Sequence, residues 1–335
     1  MVGPAGQRRP QTIAAAAIAL TVLVPPLTGN LYYVHVATVI GVYWILIATL
    51  NLLVGYTGTL SIGHIGLLAI GAYTFAILAG TVGWNSYLAL LAGGVLCASI
   101  GLLLGLPSLR LPGFYFAMVT TAFGLIVSEL ALAEGWLTNG SVGMAAPTFP
   151  APFASPDGFY TLVTLIGALV TWLCWNLARS MWGGRMMAVR DSRIAALSLG
   201  IPPARTKLIV FVFSGFSAGI AGGLFATSQS YITPDAFTFN LGLYFFVSII
   251  IGGRGSIIGP FIGAVLLALI PELVGSLQKY GTFFYGAILL AVVLLIPGGF
   301  GELAARIGSG PKAGTSDATG TGPDLGRLHE AITRL

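Results

Sequence analysis

Ten apolar runs occupy most of this chain, at about 12–28, 31–54, 59–82, 86–106, 112–133, 159–178, 208–230, 241–251, 257–272 and 281–297. A helix that crosses a bilayer needs roughly 20 consecutive apolar residues. Between the runs there is little to dress a water-facing surface. Only 7% of residues are charged, against roughly 25% in an ordinary soluble domain. A soluble enzyme, a disordered chain, a collagen and a disulfide scaffold are all excluded on this ground. The expected fold is an all-α polytopic membrane protein of about ten transmembrane helices. The run 241–251 is too short to cross alone.

Charge orients the spans. The net charge is +5, and the loop 179–207 carries a surplus that equals it, from Arg179, Arg185, Arg190, Arg193, Arg205 and Lys207 against Asp191. Under the positive-inside rule this loop is cytoplasmic. Arg8 and Arg9 place the N-terminus inside as well. Arg110 and Arg254 fall on the same side, while Glu134, Asp157 and Asp235 fall outside. An even number of crossings follows, with both termini cytoplasmic. The run 12–28 lacks a small-x-small cleavage site, so it is expected to be a first span rather than a signal peptide. The layout is then a cytoplasmic N-terminus (1–11), a transmembrane domain (12–300) and a flexible cytoplasmic tail (301–335) rich in Gly, Thr, Pro and Ser. With its basic charge on loops between spans, the chain is a partner of the lipid bilayer, not of nucleic acid. Cys97 and Cys174 sit inside apolar runs and read as small buried hydrophobes.

Two glycine-rich strings break the helical pattern, Gly55–Gly66 and Gly252–Pro260. Irregular backbone in a membrane is tolerated only against protein or a water-filled path. Interrupted segments at comparable places in two halves point to a translocation pathway, although close helix packing produces similar strings. Candidate path residues are Gly58, Thr59, Ser61, Gly63 and His64 in the first string, and Gly253, Gly255 and Ser256 in the second. Two readings of His64 stand open: a substrate or gating contact, or a helix-end histidine bonded to a neighbouring carbonyl. Tyr115, Phe116, Thr120 and Thr121 start the span 112–133. They fit either a pore lining or interfacial aromatics with hydroxyls bonded back to the helix.

Several chemistries are missing. No phosphate-binding G-x-x-x-x-G-K-[ST] string occurs, so this chain is not expected to hydrolyse ATP. There is no metal-ligand spacing, no nucleophile elbow and no pair of acids for acid–base work. No chain of intramembrane acids or lysines marks a proton- or sodium-coupled carrier.

The basic loop has further structure. Ile194 to Leu199 has helix-forming composition, Ala195 and Ala196 are small enough for close approach, and Gly200 with Pro202-Pro203 ends the helix. This is the form of a docking element. The string RDSRIAALSLGI (190–201) resembles the loop by which ABC importer permeases contact their ATPase subunits. Four segments together resemble the branched-chain amino acid permease family, LivM type: GYTGTLSIGHIGLLAIGAY (55–73), LRLPGFYFAMVTTAFG (109–124), GRMMAVRDSRIAALSLGIPPARTKLIVFVFSGFSAGIAGGLFA (184–226) and IIGGRGSIIGPFIGAVLLALIPEL (250–273). The resemblance implies a bacterial inner-membrane permease that pairs with a second, LivH-type permease, two ATPase subunits and a periplasmic or extracellular binding protein. ATP is used by those partners, and no cofactor is bound by this chain. By position, Arg190, Asp191, Arg193, Ile194, Ala195, Ala196 and Gly200 form the coupling loop. The chain departs from the family where Arg193 replaces a usual acid, Thr59 a common Gln, and Pro112 a common basic residue. The expected function is import of branched-chain or related amino acids. The alternatives are a urea or short-amide importer of the same family, or a stand-alone secondary carrier.

Overall fold

The computed structural model describes residues 29–109, 111 and 113–273, with the isolated positions 283 and 286. The expected N-terminal segment and first span, the run 281–297 apart from those two positions, the tail 301–335, Arg110 and Pro112 lie outside the described residues.

The described chain is helical almost throughout. Helix α1 (Leu31–Asn51) starts where the Asn30 side chain accepts the Tyr32 N–H at 3.0 Å, which satisfies a donor the first turn cannot pair itself. It runs on into a π-helical turn, Leu52–Tyr56. After a non-helical stretch, α2 (His64–Phe75) also ends in a π turn, Ala76–Thr81. Next come α3 (Ser86–Gly105), α4 (Gly113–Ala133) and the single turn α5 (Gly135–Thr138). Helix α6 (Pro156–Arg179) begins with a Ser155 cap and a proline, the residue best tolerated at a helix start. The basic loop folds into α7 (Met181–Asp191) and α8 (Arg193–Ser198), followed by the 27-residue α9 (Pro203–Gln229), α10 (Phe239–Gly252) and α11 (Gly259–Leu273).

Among the described residues, seven stretches are long and apolar enough to cross a membrane: Leu31–Tyr56, His64–Thr81, Ser86–Leu109, Gly113–Ala133, Pro156–Arg179, Pro203–Gln229 and Pro234–Gly252. Gly259–Leu269 is a shorter apolar helix. The run 241–251 thus proves longer than its apolar letters indicate. Thr238 caps α10 by accepting the Leu241 N–H, and the turn Pro234–Ala236 extends the stretch to 19 residues. The fold also departs from all-α at one place. Strands β1 (Met144–Ala145) and β2 (Tyr231–Ile232) pair antiparallel, with Met144 opposite Ile232.

Glycine lets the central helices pack close. Gly93, Cys97, Gly101 and Gly105 recur every fourth residue on α3 and face Gly219, Gly215 and Phe211 of the antiparallel α9. A Cβ on Gly219 would lie 2.5 Å from the Gly93 carbonyl oxygen, and one on Gly215 2.5 Å from that of Cys97. At the same place, a Cβ on Gly71 of α2 would collide with the Gly219 carbonyl, and one on Gly222 with that of Leu68. Among lipid tails, apolar side chains gain nothing by leaving solvent, so backbone approach of this kind supplies the contact. Large apolar residues remain exposed on the outer faces of α3, α4 and α6, among them Leu88, Val95, Phe114, Ile126, Leu165 and Trp172. The helix directions bring Arg179, Arg185, Arg190, Arg193, Arg205, Lys207 and Arg254 to one end of the bundle, and Glu134, Asp157 and Asp235 to the other.

Candidate translocation and coupling site

The two glycine-rich breaks meet at the basic end. Asn51, the last residue of α1, joins them. Its side-chain amide donates to the Ser256 carbonyl at 2.7 Å, and its side-chain oxygen accepts the Gly255 N–H at 3.0 Å. One amide thereby satisfies both sides of a turn between α10 and α11, where no helix bond is available. Gly55 lies against Gly255 so closely that a Cβ on Gly55 would collide with the Gly255 nitrogen. Gly253 is buried, Gly255 and Ser256 are partly buried, and the Ser256 hydroxyl accepts the Gly259 N–H at 3.2 Å to start α11.

The basic loop reaches the same junction. Arg190, in the last turn of α7, donates from Nη1 to the Gly55 carbonyl at 2.6 Å. Its stem packs on Gly58, where φ is +68° and an added Cβ would lie 2.7 Å from Arg190 Cγ. Both the left-handed backbone and the contact demand glycine there. Asp191 pairs with Arg190 at 3.4 Å with its side chain exposed, a contact of little energetic weight.

From Gly58 the chain enters the interior as non-helical backbone. Thr57, Thr59 and Ser61 are buried, and the polar groups are met internally. The Thr57 and Thr59 N–H groups donate to the Leu52 and Leu53 carbonyls at 3.2 and 3.1 Å. The Ile62 N–H donates to the Thr120 hydroxyl at 3.2 Å. Gly63 sits against the Thr120 backbone with no room for a side chain. His64 opens α2 and is 1% exposed. Its Nδ1 lies 3.1 Å from the Ser61 hydroxyl and its Nε2 2.7 Å from the Ser214 hydroxyl of α9. Of the two readings the sequence leaves open, the carbonyl-bonded one gives way to a bridge between two serines. It meets no backbone carbonyl, and both ring nitrogens are taken by protein hydroxyls.

The span that starts at Gly113 divides its candidates. Tyr115 is exposed on the outer face. Phe116 is core, edge-on to Phe211 with ring centroids 5.4 Å apart. Thr120 and Thr121 both bond back to the Ala117 carbonyl, and only Thr120 also serves the broken segment. In the basic loop, Ala195 is exposed while Ala196 is fully buried, so the alanine pair does not form one small outward face. The outward residues of α8 and its end are Arg193, Ile194, Ala195, Leu197, Ser198 and Leu199. Gly200 has φ +73° and stops the helix. Asn51 and Ser214 escaped the sequence reading because each lies inside an apolar run. A lone amide or a lone hydroxyl amid spanning residues is the signal that marks them. Among the described residues no group of three His, Cys, Asp or Glu side chains is placed to hold a metal.

Apolar spanning helices, interrupted at one end by buried irregular backbone that is bonded to a basic loop, define a multi-pass membrane protein of the transport class. Residues 32–293 match the family model described as branched-chain amino acid transport system, permease component. The chain belongs to this family of ABC transporter permeases. It is 33% identical over 293 residues to the high-affinity branched-chain amino acid transport system permease protein LivM of Escherichia coli strain K12, over 79% of this chain and 69% of the relative. The LivM protein of Salmonella typhimurium strain LT2 matches to the same extent. The autoinducer 2 import system permease protein LsrC of Enterobacter sp. strain 638 is 29% identical over 220 residues, 62% of this chain and 61% of the relative. No solved structure matches the chain.

Proposed function

We propose that the chain is the permease subunit of an ATP-driven importer for branched-chain or closely related amino acids in a bacterial inner membrane. The basic end faces the cytoplasm, as the positive-inside rule requires. An ATPase subunit docks there on the exposed surface of α7 and α8, a second permease and a second ATPase subunit complete the unit, and a binding protein delivers substrate at the opposite face. Hydrolysis of ATP belongs to the partners, and this chain binds no cofactor.

The observation that carries the reading is the bond from Arg190 to the Gly55 carbonyl, supported by the seat of the Arg190 stem on Gly58. A push on α7 arrives at the one place where two interrupted segments touch, and helix breaks are where a bundle can change shape with least loss of hydrogen bonding. Closure of the ATPases displaces α7 and α8, the junction of Gly55 with Gly255 shifts, and access alternates between the two faces.

The test is uptake of labelled leucine by proteoliposomes that contain this chain, its partner permease, the ATPase subunits and the binding protein. Uptake is expected only with ATP inside the cytoplasmic compartment and only with every subunit present. Leucine movement by this chain alone, down an ion gradient, replaces the importer with a stand-alone carrier. Uptake of urea or acetamide in place of leucine moves the substrate to the amide class.

A further inference from the structure

We infer that His64 is a positioning residue that ties the broken segment 57–63 to α9, so that the segment travels with α9 when the coupling loop moves. The inference rests on the importer reading above and adds a second mechanical link to the one made by Arg190.

Three features carry it. The first is the bond pattern. Neutral imidazole has one donor and one acceptor nitrogen, and here each faces a serine hydroxyl, Ser61 at 3.1 Å and Ser214 at 2.7 Å. Either tautomer completes both bonds, because each hydroxyl can donate or accept. Nothing is left over for a ligand. The Ser61 hydroxyl is thereby withheld from capping α2, whose first turn receives no side-chain cap.

The second feature is burial. Ser61 and His64 are 1% exposed and Ser214 is 0% exposed. A polar bridge in such a place is far costlier to break than a surface one, since each freed group has no water to turn to.

The third is where the bridge lands. Ser214 lies roughly 16 Å along α9 from Pro203, the residue at which α9 leaves the coupling loop. Helix α2 is already locked to α9 by the glycine contacts at Gly71 and Gly222. The His64 bridge extends that lock backwards by three residues, into backbone that has no helix of its own. Segment 55–64 is thus held at Gly55 by α7 and at Ser61 and His64 by α9, the elements on either side of α8.

The experiment uses the complete importer in proteoliposomes, with leucine imported and ATP hydrolysed measured together. Ser61→Ala, Ser214→Ala and the double variant each remove hydroxyls without adding bulk, and His64→Phe removes both nitrogens. Each is expected to leave subunit assembly and ATP hydrolysis in place while leucine imported per ATP falls about tenfold, the equivalent of one buried hydrogen bond. Because the bridge works as a unit, the double serine variant should lose no more than either single one. A ratio within about twofold of wild type in an assembled Ser214→Ala complex overturns the proposal, and so do losses that multiply in the double variant. A His64→Phe chain that fails to assemble leaves the serine variants to decide. A wild-type complex that imports nothing on ATP overturns the importer reading, and this proposal with it.

Discussion

Arg190 and Gly55 stand 135 residues apart in sequence and 2.6 Å apart in space, guanidinium nitrogen to carbonyl oxygen. The carbonyl belongs to a π-helical turn, Leu52–Tyr56, where a wide turn leaves backbone oxygens less regularly paired. Arg190 reaches one of them from another element, which ties a helix of the basic end to the spanning bundle.

The same side chain also pairs with Asp191, and the two contacts predict opposite outcomes. Arg190→Ala removes a charge-assisted bond and leaves the Gly55 carbonyl without that donor, at a cost of about 1–2 kcal/mol. Leucine uptake per ATP is expected to fall about tenfold. Asp191→Asn alters only the 3.4 Å pair, whose side chains are 43% and 71% exposed, and should change stability by less than about 0.5 kcal/mol. Thermal unfolding in detergent and the uptake-to-ATP ratio check both. Equal effects from the two variants refute the assignment of the work to Gly55.

Asn51 predicts a clean loss of two bonds. Asn51→Leu keeps the γ-branched shape, though with more bulk, but pairs neither the Ser256 carbonyl nor the Gly255 N–H, so the junction should lose about 2–3 kcal/mol. Asn51→Asp retains the acceptor for Gly255 and cannot donate to Ser256. It adds a charge among buried neighbours, and should be the worse of the two in melting temperature. If Asn51→Leu melts with wild type, the two breaks are held together by glycine packing alone.

The parts legible in the sequence are those set by long-range averages. Span positions follow from apolar length, and the gathering of Arg179, Arg190, Arg205 and Arg254 at one end follows from charge placement. The glycine-rich strings also announced themselves, because few residues but glycine occur where helices stop. What they touch was not legible. Gly55 meets Gly255, and Asn51 bonds to both sides of the second break, through contacts between segments some 200 residues apart that no local pattern encodes. Helix α8 shows the finer limit. Composition places a helix at Ile194 to Leu199, where α8 runs from Arg193 to Ser198, but it cannot say which face turns inward. The structure puts Ala196 inside and leaves Leu197 out. Nor did the apolar letters of 241–251 include the Thr238 cap and the Pro234 turn that lengthen α10.

Glycine contacts predict a sharp contrast between positions. Gly219→Val forces a branched side chain into the Gly93 carbonyl, which an added Cβ already approaches to 2.5 Å, and backbone on both sides prevents relief. The cost is expected to reach about 3 kcal/mol or more, and the variant should be recovered in low yield. Gly184→Ala, inside α7 with nothing within 4 Å of the new methyl, should instead stabilise by about 0.5–1 kcal/mol, as alanine restricts the unfolded chain and suits a helix. Melting curves of the two purified variants decide whether helix approach or helix propensity governs these sites.

The docking surface proposed for α8 gives the final prediction, and it turns on Ile194 and Leu199 rather than on the alanine pair. Ile194 is 78% and Leu199 74% exposed, whereas Ala196 is 0% exposed. An apolar pair this open on the water-facing end of a membrane protein is what a partner covers. Ile194→Asp and Leu199→Asp should leave the isolated chain folded, with unchanged melting temperature, yet weaken capture of the ATPase subunits about tenfold or more, since each loses roughly 1.5–3 kcal/mol of apolar burial at the interface. Ala196→Leu should do the reverse. It overpacks the inside of the loop, lowers the melting temperature by an amount that reflects about 1–3 kcal/mol, and leaves the outward surface chemically intact. Pull-down of the ATPase subunits by each variant, set beside its melting curve, separates the two. Undiminished capture by both aspartate variants would mean that the ATPases grip elsewhere, and the arginines of α7 would then be the next surface to test.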